Sequence, residues 1–417
     1  MFFSAIKSVW SFCSAVLLLA LLVCAAEVGL RCRKVSETCS TAGPERVHET
    51  LLEDVCRPSR TTYLEPIPGK RLLRAHPDTG QDIEIRLNDF GLRAPVVAIP
   101  KPADVYRVLL LGDDMVFGSE VYTDELVSAQ LEQILKSTSP RRIEVLNAAI
   151  PGGCPLQAAL WVRHTLLCLQ PDLVVHHFDM SDIADDYAMR TFVLMGKDRA
   201  PRCAIHPGLQ ETRTDLARGL REHFLTIEWA ELQLAEIWAR RSSPRTRSDL
   251  GDPLNRYRWL EDTPPDWSIP IQHAIEALGH VRKSLPENVA YVVTTCPKPW
   301  QISEDACPSV EVRTREGVRP RAVYASRRPF ELVSDFCQEA QIPCLACDEA
   351  FRRSQEPERL YLDRSPGLSA AGHALYAQQI AEFVVRQVPG PWSRPHSEGS
   401  AGGSEILKAE WAAPGRD

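Results

Sequence analysis

Acidic side chains collect where short apolar runs end. Gly112-Asp113-Asp114 follows the run Val108 to Leu111, Asp179-Met180-Ser181-Asp182 follows Leu173 to Phe178, and Leu362-Asp363-Arg364 comes shortly before the last helical pattern. If Asp113, Asp114, Asp179 and Asp182 meet, their oxygens suit a hard divalent cation such as Ca²⁺ or Mg²⁺. The plainer reading is that each acid caps the helix after its strand, where backbone N–H groups lack partners. Ser119, five residues past Asp114, is a candidate displaced nucleophile. His176 and His177 fall near a strand end, and His373 follows Gly372 in the last helix, a position suited to capping or packing as much as to general-base work. Cys344 and Cys347 form a C-x-x-C with Cys337 nearby. A zinc site wants four nitrogen or sulfur ligands and no second pair lies at suitable spacing, so buried strand cysteines are the expectation. No cofactor and no metal is expected.

Parallel strands separated by single helices would place these groups. Val108–Leu111, Ile143–Leu146, Leu173–Val175, Val289–Val293 and Ile342–Cys347 read as buried strands. Val127, Leu131, Ile134 and Leu135 share one helix face, Pro155 opens a second helix, and Ser369 caps a last one with Tyr376, Ile380, Phe383 and Val384 inward. Strands alternating with helices predict an α/β fold, a parallel sheet between two helical layers, whose sites lie at the carboxyl ends of the strands. Residues 187–285 break the rhythm and read as a helical insertion, with Thr214 to Arg241 as a long amphipathic helix and a Pro-rich stretch after it.

The segments VYRVLLLGDDMVFGSEV, RRIEVLNAAIPGG, PDLVVHHFDMSD and LSAAGHALYA, in this order, resemble the blocks of the SGNH (GDSL-type) hydrolases. RLNDFGLRAP is similar to a segment that often precedes the core in membrane-anchored members. The resemblance covers roughly residues 83–386 and implies a flavodoxin-like three-layer fold. It also implies serine ester hydrolysis, in which a serine attacks the carbonyl, a late histidine takes its proton, and an aspartate orients the histidine. The serine N–H, a glycine N–H and an asparagine amide hold the oxyanion. Carried over by position, the nucleophile falls on Asp114, the glycine on Gly152, the asparagine on Ser181 and the histidine on Gly367. The aspartate falls on Arg364, with Asp363 one residue off. Only Gly152 keeps its family identity. Asp113, Asp179 and Asp182 are expected to line the cleft.

Val9 to Ala26 carries no charge, near the roughly 20 residues a spanning helix needs. It reads as a signal anchor over 1–26, or as a cleaved signal ending in Cys24-Ala25-Ala26. Residues 27–62 read as a linker or stalk, 63–386 as the SGNH-like domain and 387–417 as a disordered tail. Cys32, Cys39 and Cys56 cluster beyond the apolar run and are open to bridging in an oxidising compartment. The whole chain is 417 residues with 48 Lys+Arg, 55 Asp+Glu and a net charge of −7, a balance that points away from nucleic acid. The expectation is a single-pass membrane protein with an extracytoplasmic domain that has lost hydrolysis and serves as a binding or scaffolding domain of the cell envelope, with a carbohydrate or lipid ligand. Two alternatives stay open: an active esterase or acetylhydrolase using rearranged residues, and a structural membrane-tethered subunit.

Overall fold

The computed structural model describes residues 24–28, 45–47, 51–209, 256–261, 264 and 266–392. Five strands form the central sheet: β1 (Val105–Leu111), β2 (Arg142–Asn147), β3 (Leu173–Phe178), β4 (Ala290–Thr295) and β5 (Cys344–Ala346). All neighbours run parallel, in the order β2-β1-β3-β4-β5. This is the doubly wound order 2-1-3-4-5 of flavodoxin-like folds. The strands read as nearly continuous apolar runs because a parallel sheet is covered on both faces, and every residue of β1 and β3 is buried. Arg107 on β1 is tolerated there because its guanidinium donates to Glu144 at 2.9 Å and to the Ala98 carbonyl at 3.1 Å.

Among the described residues, the helices that follow β1 are α1 (Asp114–Phe117), α2 (Val127–Thr138), α3 (Pro155–His164), α4 (Asp182–Met189), α5 (Ser268–Ser284), α6 (Val310–Arg315), α7 (Arg328–Glu339), α8 (Asp348–Arg352) and α9 (Ala370–Gln387). Right-handed crossovers decide their faces. The step from β1 to β2 goes one way along the sheet and puts α2 on one side. Later steps go the other way and put α3, α5 and α7 on the opposite side. The contacts agree, since α9 packs on α2 and α5 packs on α3 and α4. Ser369 caps α9 by accepting from the Gly372 N–H at 3.3 Å.

Three expected boundaries move. The stalk gives way to packed structure by Leu51, because Leu51, Val55 and Cys56 are buried in the main core. The insertion ends before 268: α5 is the regular β3–β4 crossover, with Ala274, Leu278 and Val281 fully buried. The domain also runs past 387, where Trp392 packs edge-on against Tyr106 with ring centroids 5.1 Å apart. The helix expected over Thr214–Arg241, Cys32, Cys39, most of the apolar N-terminal run and the tail beyond Trp392 lie outside the described residues. Among the described residues, no helix is long and apolar enough to cross a membrane.

Candidate functional site

The carboxyl ends of β1 and β2 meet at Asp114 and Gly152. Asp113 caps α1, its Oδ1 accepting from the Met115 N–H at 3.1 Å, and is buried. Asp114, one residue on, is exposed and turns outward. Its Oδ2 accepts from the Gly152 N–H at 2.9 Å. Gly152 has φ +62°, a left-handed conformation that glycine adopts without strain. Asn147, at the end of β2, ties this loop to α1 by donating to the Val116 carbonyl at 2.8 Å and accepting from the Ala149 N–H at 3.1 Å. Arg93, in the upstream RLNDFGLRAP segment, pins the far end of α1 through the carbonyls of Phe117 at 2.9 Å, Val121 at 3.0 Å and Gly118.

Across the rim, the turn before α9 carries Asp363 and Gly367. The Asp363 and Arg364 N–H groups donate to Asp78 at 3.0 and 2.9 Å, so the turn is held by backbone contacts while the Asp363 side chain stays exposed. A Cβ on Gly367 would stand 2.4 Å from Glu120 Oε2. Glu120 itself accepts from the Ser365 hydroxyl at 2.5 Å and pairs with Arg74 at 3.2 Å. Burial raises its carboxyl above the ordinary range, the Arg74 guanidinium and the Ser365 hydroxyl pull against that, and Asp114 adds to the rise.

Beneath the rim lies a buried polar network. Lys298, just past β4, puts its ammonium 2.7 Å from Asp179 Oδ2. Asp179 also accepts from the Ser181 N–H at 2.8 Å and the Ser181 hydroxyl at 2.7 Å. His177 Nε2 lies 3.4 Å from Asp179, and its Nδ1 is 2.7 Å from the Tyr376 hydroxyl, which in turn is 2.6 Å from Thr294 Oγ1. Burial alone would raise Asp179, but the Lys298 ammonium and then the His177 N–H outweigh it and hold the carboxyl well below its usual range. With Asp179 ionised, His177 Nε2 is the donor and Nδ1 accepts from Tyr376. Burial opposes charge on Lys298 as well, and Asp179 more than compensates, leaving the ammonium well above its ordinary value. Asp113 and Asp182 go the other way: burial pushes both well up, and neighbouring acids add to it. Asp182 still accepts from the Asp179 N–H at 2.8 Å.

These positions correct one expectation, that three acids line the cleft. Asp113 and Asp179 are 3% and 0% exposed and face the interior, and Asp182, 2% exposed, borders only a small cavity with Gly112, Gly153 and His177. The four acids do not converge on a cation, because Asp114 leaves the group for Gly152. The Asp113, His177 and Asp179 ligand atoms do lie within 4.8 Å of one another, but Lys298 supplies the positive charge beside Asp179. Ser181 is buried and bound to Asp179, so it offers the rim nothing in place of an asparagine amide. Ser119 is buried and accepts from Arg74 at 3.2 Å. Neither Lys298 nor Glu120 was anticipated, although Cys296-Pro297-Lys298 follows the fourth strand as the acids follow the first and third.

His176 and His373 are held neutral. His176 Nδ1 meets the Tyr291 hydroxyl at 2.8 Å, and His373 Nδ1 accepts from the Val127 N–H at 3.2 Å, capping α2. Burial lowers His373 to about 3, helped by the Arg93 charge. In the unfolded chain its pKa returns to about 6.5, so between these values the unfolded state binds the extra proton and wild type loses stability as pH falls. His373→Gln has no such proton to gain. Relative to wild type, H373Q should therefore become more stable by up to about 1.4 kcal/mol per pH unit below 6.5. Urea unfolding of both proteins from pH 7 to 4.5 checks this; a constant difference across that range contradicts it.

No protein-family model and no curated protein matches the chain. Among solved structures, it is similar to a lipase/acylhydrolase from Enterococcus faecalis, with 11% identity over 67% of this chain and 95% of that one and a TM-score of 0.36. A catalytic mutant of an acetylxylan esterase from Geobacillus stearothermophilus is 12% identical over 67% and 94%, with a TM-score of 0.35. A GDSL-like lipase from Bacteroides thetaiotaomicron is 10% identical over 70% and 93%, with a TM-score of 0.34. The fold assignment stands on strand order and block placement instead. Five parallel strands in the order 2-1-3-4-5 give this chain a flavodoxin-like α/β fold, with the segments that resemble the SGNH blocks at or after the carboxyl ends of its strands.

Proposed function

We propose that this domain binds a ligand at the Asp114–Gly152 rim without hydrolysing it. The observation that carries the reading is the 2.9 Å hydrogen bond from the Gly152 N–H to the Asp114 carboxylate. In an acyl-transfer site of this layout that N–H would meet a developing oxyanion. Here a carboxylate already accepts it, and its negative charge would repel an oxyanion rather than stabilise one. Glu120 reinforces the reading, because its carboxylate fills the space beside Gly367 where an imidazole would have to stand. The exposed groups left at the rim, Asp114, Asp363 and the backbone around Gly152, suit hydroxyl donors, which favours a carbohydrate or lipid headgroup of the cell envelope. The same reading tethers the domain by the uncharged run Val9 to Ala26, with its bulk outside the cytoplasm. A reporter fused after residue 60 that is active in the cytoplasm would overturn that placement. For the site itself, a serine-directed fluorophosphonate leaves the full chain unlabelled; stoichiometric labelling of any serine would sink the reading.

A further inference from the structure

The small cavity that Asp182 borders lies on the α3 side of the sheet, behind the glycine loop of the rim. Gly112, Gly153, Gln157, Trp161 and His176 complete its polar and glycine lining, and it leaves about 10 Å³ for the centre of a water molecule. Trp161 and Gln157 are four residues apart on α3 and so share one helix face. They are 3% and 4% exposed. The Trp161 indole N–H is enclosed and meets no acceptor among the described residues. A buried donor left in that state is costly, and protein interiors pair nearly all such groups with protein or ordered water.

Acceptors with capacity to spare border the same cavity. Gln157 donates through Nε2 to the Thr62 and Leu64 carbonyls at 3.2 Å each, which leaves its Oε1. Asp182 spends Oδ2 on the Asp179 N–H at 2.8 Å, which leaves Oδ1. His176 spends Nδ1 on the Tyr291 hydroxyl at 2.8 Å, which leaves Nε2. We propose that the cavity is a binding site for one structural water, which accepts from Trp161 Nε1 and donates to Gln157 Oε1, with Asp182 or His176 completing its shell. Size selects this occupant, because about 10 Å³ is one water's worth of room and a larger molecule does not fit. Chemistry selects it too: a bare cation would face the Trp161 N–H, which only donates. The water ties α3 to the turn after β3 directly behind Gly153, next to the Gly152 N–H that meets Asp114. It therefore supports the rim whether or not the rim takes a ligand.

Crystals of the full chain that resolve ordered water test this, with and without xenon pressure, and with Trp161→Phe alongside. The expected wild-type map has a water oxygen within about 3.2 Å of both Trp161 Nε1 and Gln157 Oε1. Xenon stays out, since a polar, hydrated site does not take it. In W161F the water is lost or moves away from the ring. An absence of water density there while other interior waters are visible, xenon in its place, or an unmoved water at full occupancy in W161F overturns the assignment. The wild-type maps decide by themselves if W161F fails to fold.

Discussion

Replacing Lys298 by methionine lowers the unfolding free energy of the domain by about 3–5 kcal/mol, the range expected when one partner of a buried ion pair is removed. The Asp179 side chain is fully enclosed and that of Lys298 only 6% exposed, so neither charge has water to fall back on. Without the ammonium, Asp179 keeps only the Ser181 and His177 donors, and burial then drives it to take up a proton. That proton would turn one carboxylate oxygen from acceptor to donor within a shell whose remaining partners are donors, at Ser181 N, Ser181 Oγ and His177 Nε2. The disturbance spreads upward, because Asp179 positions Ser181 and, through its own N–H, Asp182. The double variant K298M/D179N removes both charges and should recover part of the loss. Chemical denaturation of the three proteins measures this, and a loss below about 1 kcal/mol in K298M would mean that the pair does not organise the interior.

Putting a histidine back at position 367 should destabilise the domain by about 1–3 kcal/mol, as inserting bulk into a packed site does. The added Cβ would lie 2.4 Å from Glu120 Oε2, far inside contact distance. Glu120 is held by Ser365 at 2.5 Å and Arg74 at 3.2 Å, so moving it breaks two polar contacts and leaves the Arg74 guanidinium with the Ser119 hydroxyl. Shortening the obstacle in G367H/E120A should relieve the clash and return part of the stability, the part lost with the Ser365 and Arg74 contacts staying lost. Thermal and urea melts of the single and double variants decide the matter; a G367H protein as stable as wild type would show that the pocket is not built around Glu120. The consequence for chemistry is that restoring a serine at 114 and a histidine at 367 is insufficient while Glu120 remains.

The layered sheet was legible because parallel strands covered on both faces must be apolar along their length, and Val108–Leu111 or Leu173–Val175 has no other stable use in a soluble domain. Strand ends located the chemistry for the same reason. What spacing along the chain could not supply was direction. Asp113 and Asp114 are adjacent, yet the first turns inward to cap α1 and the second turns out to Gly152. Asp179 and Asp182 looked like cleft acids because their charge suggests water, but Lys298, more than a hundred residues later, pays for the burial of Asp179. Lys298 escapes a reading built on acids, because the fourth strand ends in Cys296-Pro297-Lys298 with no carboxylate beside it. In the sequence the crossover helix α5 reads as part of the insertion, because the segment before it, 187–267, breaks the strand–helix rhythm.

The central claim, that the rim binds without acyl transfer, is tested most directly by fluorophosphonate reaction of the full chain, read by intact mass with an active serine esterase as control and short-chain aryl esters followed in parallel. The account predicts no adduct while the control labels fully, and ester turnover no faster than with Asp114→Ala. A stoichiometric adduct on Ser119, or on any other serine, accompanied by turnover that disappears when that serine is replaced, would contradict it.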